Sequence, residues 1–224
     1  MKLSKLQKIS SSLGQRFYTL ELAYNILNNY NLKNITQVGV QSKDFEYANF
    51  DLFNIFADLT LDHKNIKYDI YVNHQDINLK NRILSIQRDL YKNYNPDNIS
   101  VLDINEKKKE DKIDLLVLHD ICYPINEITQ KISKNLNYLE ARNLLNSLTE
   151  EEMDLHYGDV INPCREKMLK EYKMFNKRLG KTSIVLLEGN DYPGGSQTLL
   201  VKEQLKKDGF HCLLDLKQSV WIKN

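Results

Sequence analysis

The residues best suited to chemistry sit in two short polar runs. His119 and Asp120 follow an apolar run at 113–118, and Glu188, Asn190 and Asp191 follow another at 183–187, just ahead of Pro193-Gly-Gly195. A histidine beside a carboxylate suits a general base pair or a set of metal ligands. Neighbouring parallel strands end at about the same level and lie under about 5 Å apart, so the two runs converge if their strands are adjacent. Three carboxylates in so small a space repel unless protonated, hydrogen-bonded or joined by a cation. Three readings follow: a divalent metal site using Glu188, Asn190 and Asp191 with His119 or Asp120, a metal-free base at His119 and Asp120, or a structural cluster whose side chains bond nearby loop backbone.

The elements that must position these residues are clearest at the carboxyl end. Residues 183–187 form a short apolar run of the kind a strand buried on both faces shows. A polar, glycine-rich loop leaving such a strand is where open α/β sheets place their ligands. Ser196 is then the expected N-cap, 198–207 a helix with Leu199, Leu200, Val201 and Leu205 on its apolar side, and Gly209 its stop. Residues 212–216 and 219–222 read as two strands. So short a connection makes them antiparallel, because a parallel pair needs a crossover of about a dozen residues.

That ending resembles the carboxyl terminus of class I S-adenosylmethionine-dependent methyltransferases. The likeness lies in Val185-Leu-Leu-Glu-Gly-Asn-Asp-Tyr-Pro-Gly-Gly195 and Gln218-Ser-Val-Trp221, and in the run Ile113-Asp-Leu-Leu-Val-Leu118. It implies a doubly wound, seven-stranded, mostly parallel sheet with an antiparallel carboxyl-terminal strand, covering residues 34–224.

The upstream residues fit that frame. A helix at 5–30 has Leu6, Ile9, Leu13, Phe17 and Leu20 recurring at three- and four-residue spacing. The first strand is 34–40, followed by a crossover helix at 47–59; the second is 67–72, the third 99–102, the fourth 113–118. Asp76 reads as the N-cap of the helix between the second and third strands. Residues 124–161 form a helical insertion within an otherwise single domain, 1–224. In it, Thr149-Glu-Glu-Glu152 has the spacing of a capping box and opens a short helix; Asn162-Pro163 then supplies the N-cap and first-turn proline of the next, which runs to Gly180.

The resemblance also implies a cofactor, S-adenosylmethionine, held by Gly39, Val40, Gln41, Asn73, Asp103 and His119, with His119 and Asp120 at the catalytic centre. Gly39 stands where the family's loop has its first glycine, a residue that lets backbone approach a ligand and turn with positive φ. No glycine follows among residues 40–45. Asn73 falls where the family usually has an acidic residue holding the ribose hydroxyls; an amide can accept from one and donate to the other, without the charge. Asp103 suits a place beside the adenine and equally a turn at a strand end. The implied reaction is methyl transfer to an oxygen of a small-molecule or saccharide acceptor, with magnesium or a similar metal as a further cofactor. The competing reading is a methyltransferase-like fold that has lost catalysis and serves as a binding or scaffold partner.

Composition narrows the classes. Lys and Arg number 31 against 30 Asp and Glu, so the net charge of +1 gives no electrostatic case for nucleic acid or an anionic membrane. The basic start, Met1-Lys-Leu-Ser-Lys, lacks the apolar core of a signal peptide, and no run has the length of a bilayer span. A cytoplasmic protein is expected. Cys122, Cys164 and Cys212 are odd in number and widely spaced, which predicts three reduced, mostly buried thiols rather than a disulfide framework or a zinc site.

Overall fold

A computed structural model describes residues 32–39, 65–72, 98–105, 111–118, 147–187, 198–215 and 219–223, with 81, 137, 140, 143 and 144 singly. The helices expected at 5–30 and 47–59, the one opening at Asp76, and the first part of the insertion lie outside the described residues. Internal contacts group the chain into Met1–Leu115 and Leu116–Asn224.

Among the described residues seven strands form one sheet: β1 (Asn34–Val38), β2 (Lys67–Val72), β3 (Ile99–Asp103), β4 (Ile113–Leu118), β5 (Leu179–Leu187), β6 (Phe210–Asp215) and β7 (Ser219–Lys223). Their order across the sheet is β3-β2-β1-β4-β5-β7-β6. The expected fold class is borne out, with β7 reversed between β5 and β6.

In Met1–Leu115, β1 and β2 pair in parallel from Asn34 opposite Lys67 to Val38 opposite Tyr71. Next, β2 and β3 pair in parallel from Tyr68 opposite Ile99 to Val72 opposite Asp103. Apolar side chains fill both faces, as a strand covered on each side requires: Ile35, Val38, Ile70 and Tyr71 are buried. At the amino end Asp114 Oδ2 accepts the backbone N–H groups of Lys33 at 2.8 Å and Asn34 at 2.9 Å. That carboxylate fixes where β1 begins by satisfying two donors that would otherwise compete for water.

In Leu116–Asn224, helix α1 (Glu150–Phe175) packs against α2 (Leu199–Lys207), and α2 against β6. The capping box is present. Thr149 Oγ1 accepts from the Glu152 amide at 3.2 Å, and Glu152 Oε2 accepts from the Thr149 amide at 2.7 Å. The two helices read on either side of Asn162-Pro163 are one, with Pro163 inside it. Asn162 is not a cap; its Oδ1 accepts from Arg165 Nη1 at 3.1 Å. The physical reason is the buried stripe Met153, Val160, Cys164, Met168, Tyr172 and Phe175, which passes Pro163 in unbroken helical phase. An interior proline costs about 3 kcal/mol, less than several buried side chains contribute together. The expected insertion boundary at 161 therefore falls inside a continuous helix.

Other boundaries shift by a few residues. The fifth strand begins at Leu179 rather than 183, after a 3-10 turn at Asn176–Arg178, so Gly180 lies in the strand instead of stopping the helix. The N-cap of α2 is Thr198, not Ser196, and Gly209 takes the expected stop with φ 83°. Trp221 is buried, its indole N–H donating to Ser219 Oγ at 2.9 Å. At edge strand β6 the register skips a residue, with Cys212 opposite Trp221 and Leu214 opposite Val220.

The cysteine expectation is corrected. Cys164 is buried and disulfide-bonded, and Cys212 is free and exposed. Among the described residues no helix is long and apolar enough to cross a membrane.

Candidate functional site

Two of the expected site residues are described, Gly39 and Asp103. Gly39 is the first residue past β1 and has φ 95°, a backbone conformation that a side chain strains. The strand is expected to run to Val40 and instead stops at Val38, because Gly39 turns the chain out of the extended conformation. Val38 faces Tyr71 and Val72 faces Asp103, so Gly39, the residue after Val38, leaves β1 at the edge where Val72 and Asp103 end their strands. The carboxyl ends of three adjacent parallel strands thus form one even edge. Neighbouring strands are about 4.8 Å apart, so the ends of β1 and β3, with β2 between them, lie about 10 Å apart along that edge.

Asp103 is half-buried and acts as a turn former. Its Oδ1 accepts from the Asn105 amide at 2.7 Å, and the Ile104 amide donates to the Val72 carbonyl at 2.9 Å. Together these bonds fold the chain over the end of β2.

Beneath the edge lies a polar pair that the sequence reading did not single out. Gln37 Oε1 accepts a hydrogen bond from the Tyr68 phenol, with both residues buried. The available signal was a glutamine inside the otherwise apolar end of the first strand.

Val40, Gln41, Asn73, His119, Asp120, Glu188, Asn190 and Asp191 lie outside the described residues. The adjacency on which their convergence depends is present, since β4 and β5 are neighbours in the sheet. Among the described residues, no group of three or more His, Cys, Asp or Glu side chains is placed to hold a metal ion.

The sequence matches no protein-family model and no curated protein. Solved structures do match it. A "putative caffeoyl-CoA O-methyltransferase" from Staphylococcus aureus aligns with all of this chain and 93% of its own, at 11% identity and a TM-score of 0.51. A precorrin-6y C5,15-methyltransferase from Geobacter metallireducens GS-15 aligns with 94% of this chain and 88% of its own, at 10% identity and a TM-score of 0.46. With its strand order, its reversed β7 and the likeness to the first of these, the chain has the fold of the class I methyltransferases.

Proposed function

We propose that this protein is an S-adenosylmethionine-dependent methyltransferase acting on an oxygen of a small-molecule or saccharide acceptor, with residues 1–224 working as one domain. The observation that carries the reading is the edge formed by Gly39, Val72 and Asp103, with Gly39 in a left-handed conformation. Crevices outside the carboxyl ends of parallel strands are where α/β sheets bind ligands. These residues fit the cofactor: Gly39 admits close backbone approach at its methionine end, with Val40 and Gln41 beside it, Asn73 takes the ribose and Asp103 lies toward the adenine. When bound, S-adenosylmethionine supplies an electrophilic methyl group.

The chain's own contribution is orientation and one proton transfer. His119, directly after β4, accepts the proton of the acceptor hydroxyl, and Asp120 favours the resulting imidazolium. Holding the acceptor oxygen in line with the methyl supplies most of the rate, since positioned reactants have already given up their translational freedom. Glu188, Asn190 and Asp191 are the residues that would hold a magnesium-like cation; no step depends on it.

Calorimetric titration with S-adenosylhomocysteine tests the reading, with saturable binding near one equivalent expected. No heat of binding would overturn it in favour of a non-catalytic scaffold, which draws on the lack of any glycine between Gly39 and Phe45.

A further inference from the structure

We infer that Gln37 and Tyr68 are a positioning pair that sets the height of Gly39 for the cofactor, an inference that rests on the methyltransferase reading above. β1 carries two buried polar side chains, Thr36 and Gln37, 1% and 2% exposed. Gln37 stands opposite Ile70, and Tyr68 opposite Ile35. The bond between them is therefore diagonal: the phenol reaches two positions along the sheet, toward its carboxyl end, to meet the amide oxygen. Both side chains lie on one face, because residues two apart along a strand share a face and opposed residues do too.

A directional bond in this place does what apolar packing does not. Two apolar side chains tolerate a small slide between strands, whereas a buried phenol that loses its acceptor is left with an unmet donor. The pair thus resists slippage of β1 along β2. Its location matters, since Gln37 is two residues from Gly39 and only the Val38–Tyr71 pairing intervenes. Beyond that, the chain enters a glycine with φ 95°, whose freedom would pass any error in strand height on to the residues that follow. The level edge of Gly39, Val72 and Asp103 is what the diagonal bond keeps level.

The test compares S-adenosylhomocysteine affinity and thermal midpoint in wild type, Tyr68→Phe, the double variant Gln37→Met with Tyr68→Phe, and Asp114→Ala as a control that loosens the opposite end of β1. Tyr68→Phe is expected to raise Kd about tenfold, a modest share of what misplacement by about 1 Å costs. The double variant removes both partners of the bond and recovers thermal midpoint, yet still binds weakly. It also carries the test if Tyr68→Phe does not fold. Asp114→Ala lowers the midpoint and leaves Kd unchanged. Wild-type affinity in the double variant, or an equal loss in Asp114→Ala, overturns the inference while leaving the methyltransferase reading standing. Absence of binding by the wild type overturns both.

Discussion

The Tyr172 phenol on α1 donates to Asp208 Oδ2 at 2.6 Å, joining that helix to the turn that ends α2. Gln204 Nε2 donates to the other oxygen at 2.9 Å, so the carboxylate is gripped from both helices. Burial pushes the Asp208 pKa up, but hydrogen bonds from Tyr172, Gln204 and Asn176, with the charge of Lys223, outweigh it and hold the carboxyl below its ordinary range. Burial and then Asp208 push the Tyr172 phenol well above its own. The signs follow from linkage. A depressed acid stabilises the fold at neutral pH and loses that contribution as pH falls below about 3.9. A raised phenol stabilises it below about pH 10 and loses that contribution above. Thermal midpoints across pH should fall at both extremes, with Asp208→Asn flattening the acid limb and Tyr172→Phe the alkaline one. Unchanged limbs would show that the bond contributes nothing.

Helix α1 carries one favourable and one unfavourable local feature. Thr149→Ala removes the capping box and should cost about 1 kcal/mol in urea unfolding. Pro163→Ala restores an amide donor to the helix interior and should raise stability by about 1–3 kcal/mol. A Pro163→Ala protein less stable than wild type would mean that the proline's shape is itself required.

Asp114 accepts two backbone N–H groups where β1 starts. Asp114→Ala leaves both to compete for water and should destabilise by about 2–3 kcal/mol, whereas Asp114→Asn, which keeps an acceptor oxygen, should lose about half of that. Equal losses in the two variants would show that charge, rather than the bonds, matters there.

For the cofactor, Asn73→Asp should tighten S-adenosylhomocysteine binding by about 1 kcal/mol, by adding a charged acceptor for the ribose hydroxyls. Gly39→Ala should weaken it, because alanine strains at φ 95°. Affinity indifferent to both would place the ligand elsewhere.

The proposed base and metal ligands are separated by chelation. His119→Ala should lower methyl transfer by about 100-fold with or without magnesium. Glu188→Gln should matter only if activity also falls in chelator and returns with magnesium or manganese. Insensitivity to both substitutions and to metal would remove these residues from the reaction.

The second and fourth strands were legible to the residue, because their apolar runs are flanked by Lys67, Lys112 and other polar residues that mark the ends. Gly39 was legible as a turn at a strand end, and its φ of 95° agrees. The break at Asn162-Pro163 was read from a true local preference, which lost to a stripe of buried side chains visible only over six turns. The Gln37–Tyr68 bond was not legible: it joins residues 31 apart, and only the register of two strands brings them onto one diagonal. Likewise, the cysteine spacing held no sign that Cys164 is bridged.

The place of β7 imposes an order on assembly. It follows β6 in the sequence yet lies between β5 and β6, so β6 has nothing to bond within the sheet until residues 219–223 have been made. During synthesis this corner of the molecule waits on a strand that leaves the ribosome after its neighbours, and Trp221, 2% exposed once folded, arrives with it. A chain interrupted after Asp215 would keep the hydrophobic flank of β5 uncovered and should be captured by chaperones or proteases, while one extended past Lys223 and freed from the ribosome should close at once. Arrested nascent chains of these two lengths, compared for protease resistance, would reveal whether completion of β7 is the committing event.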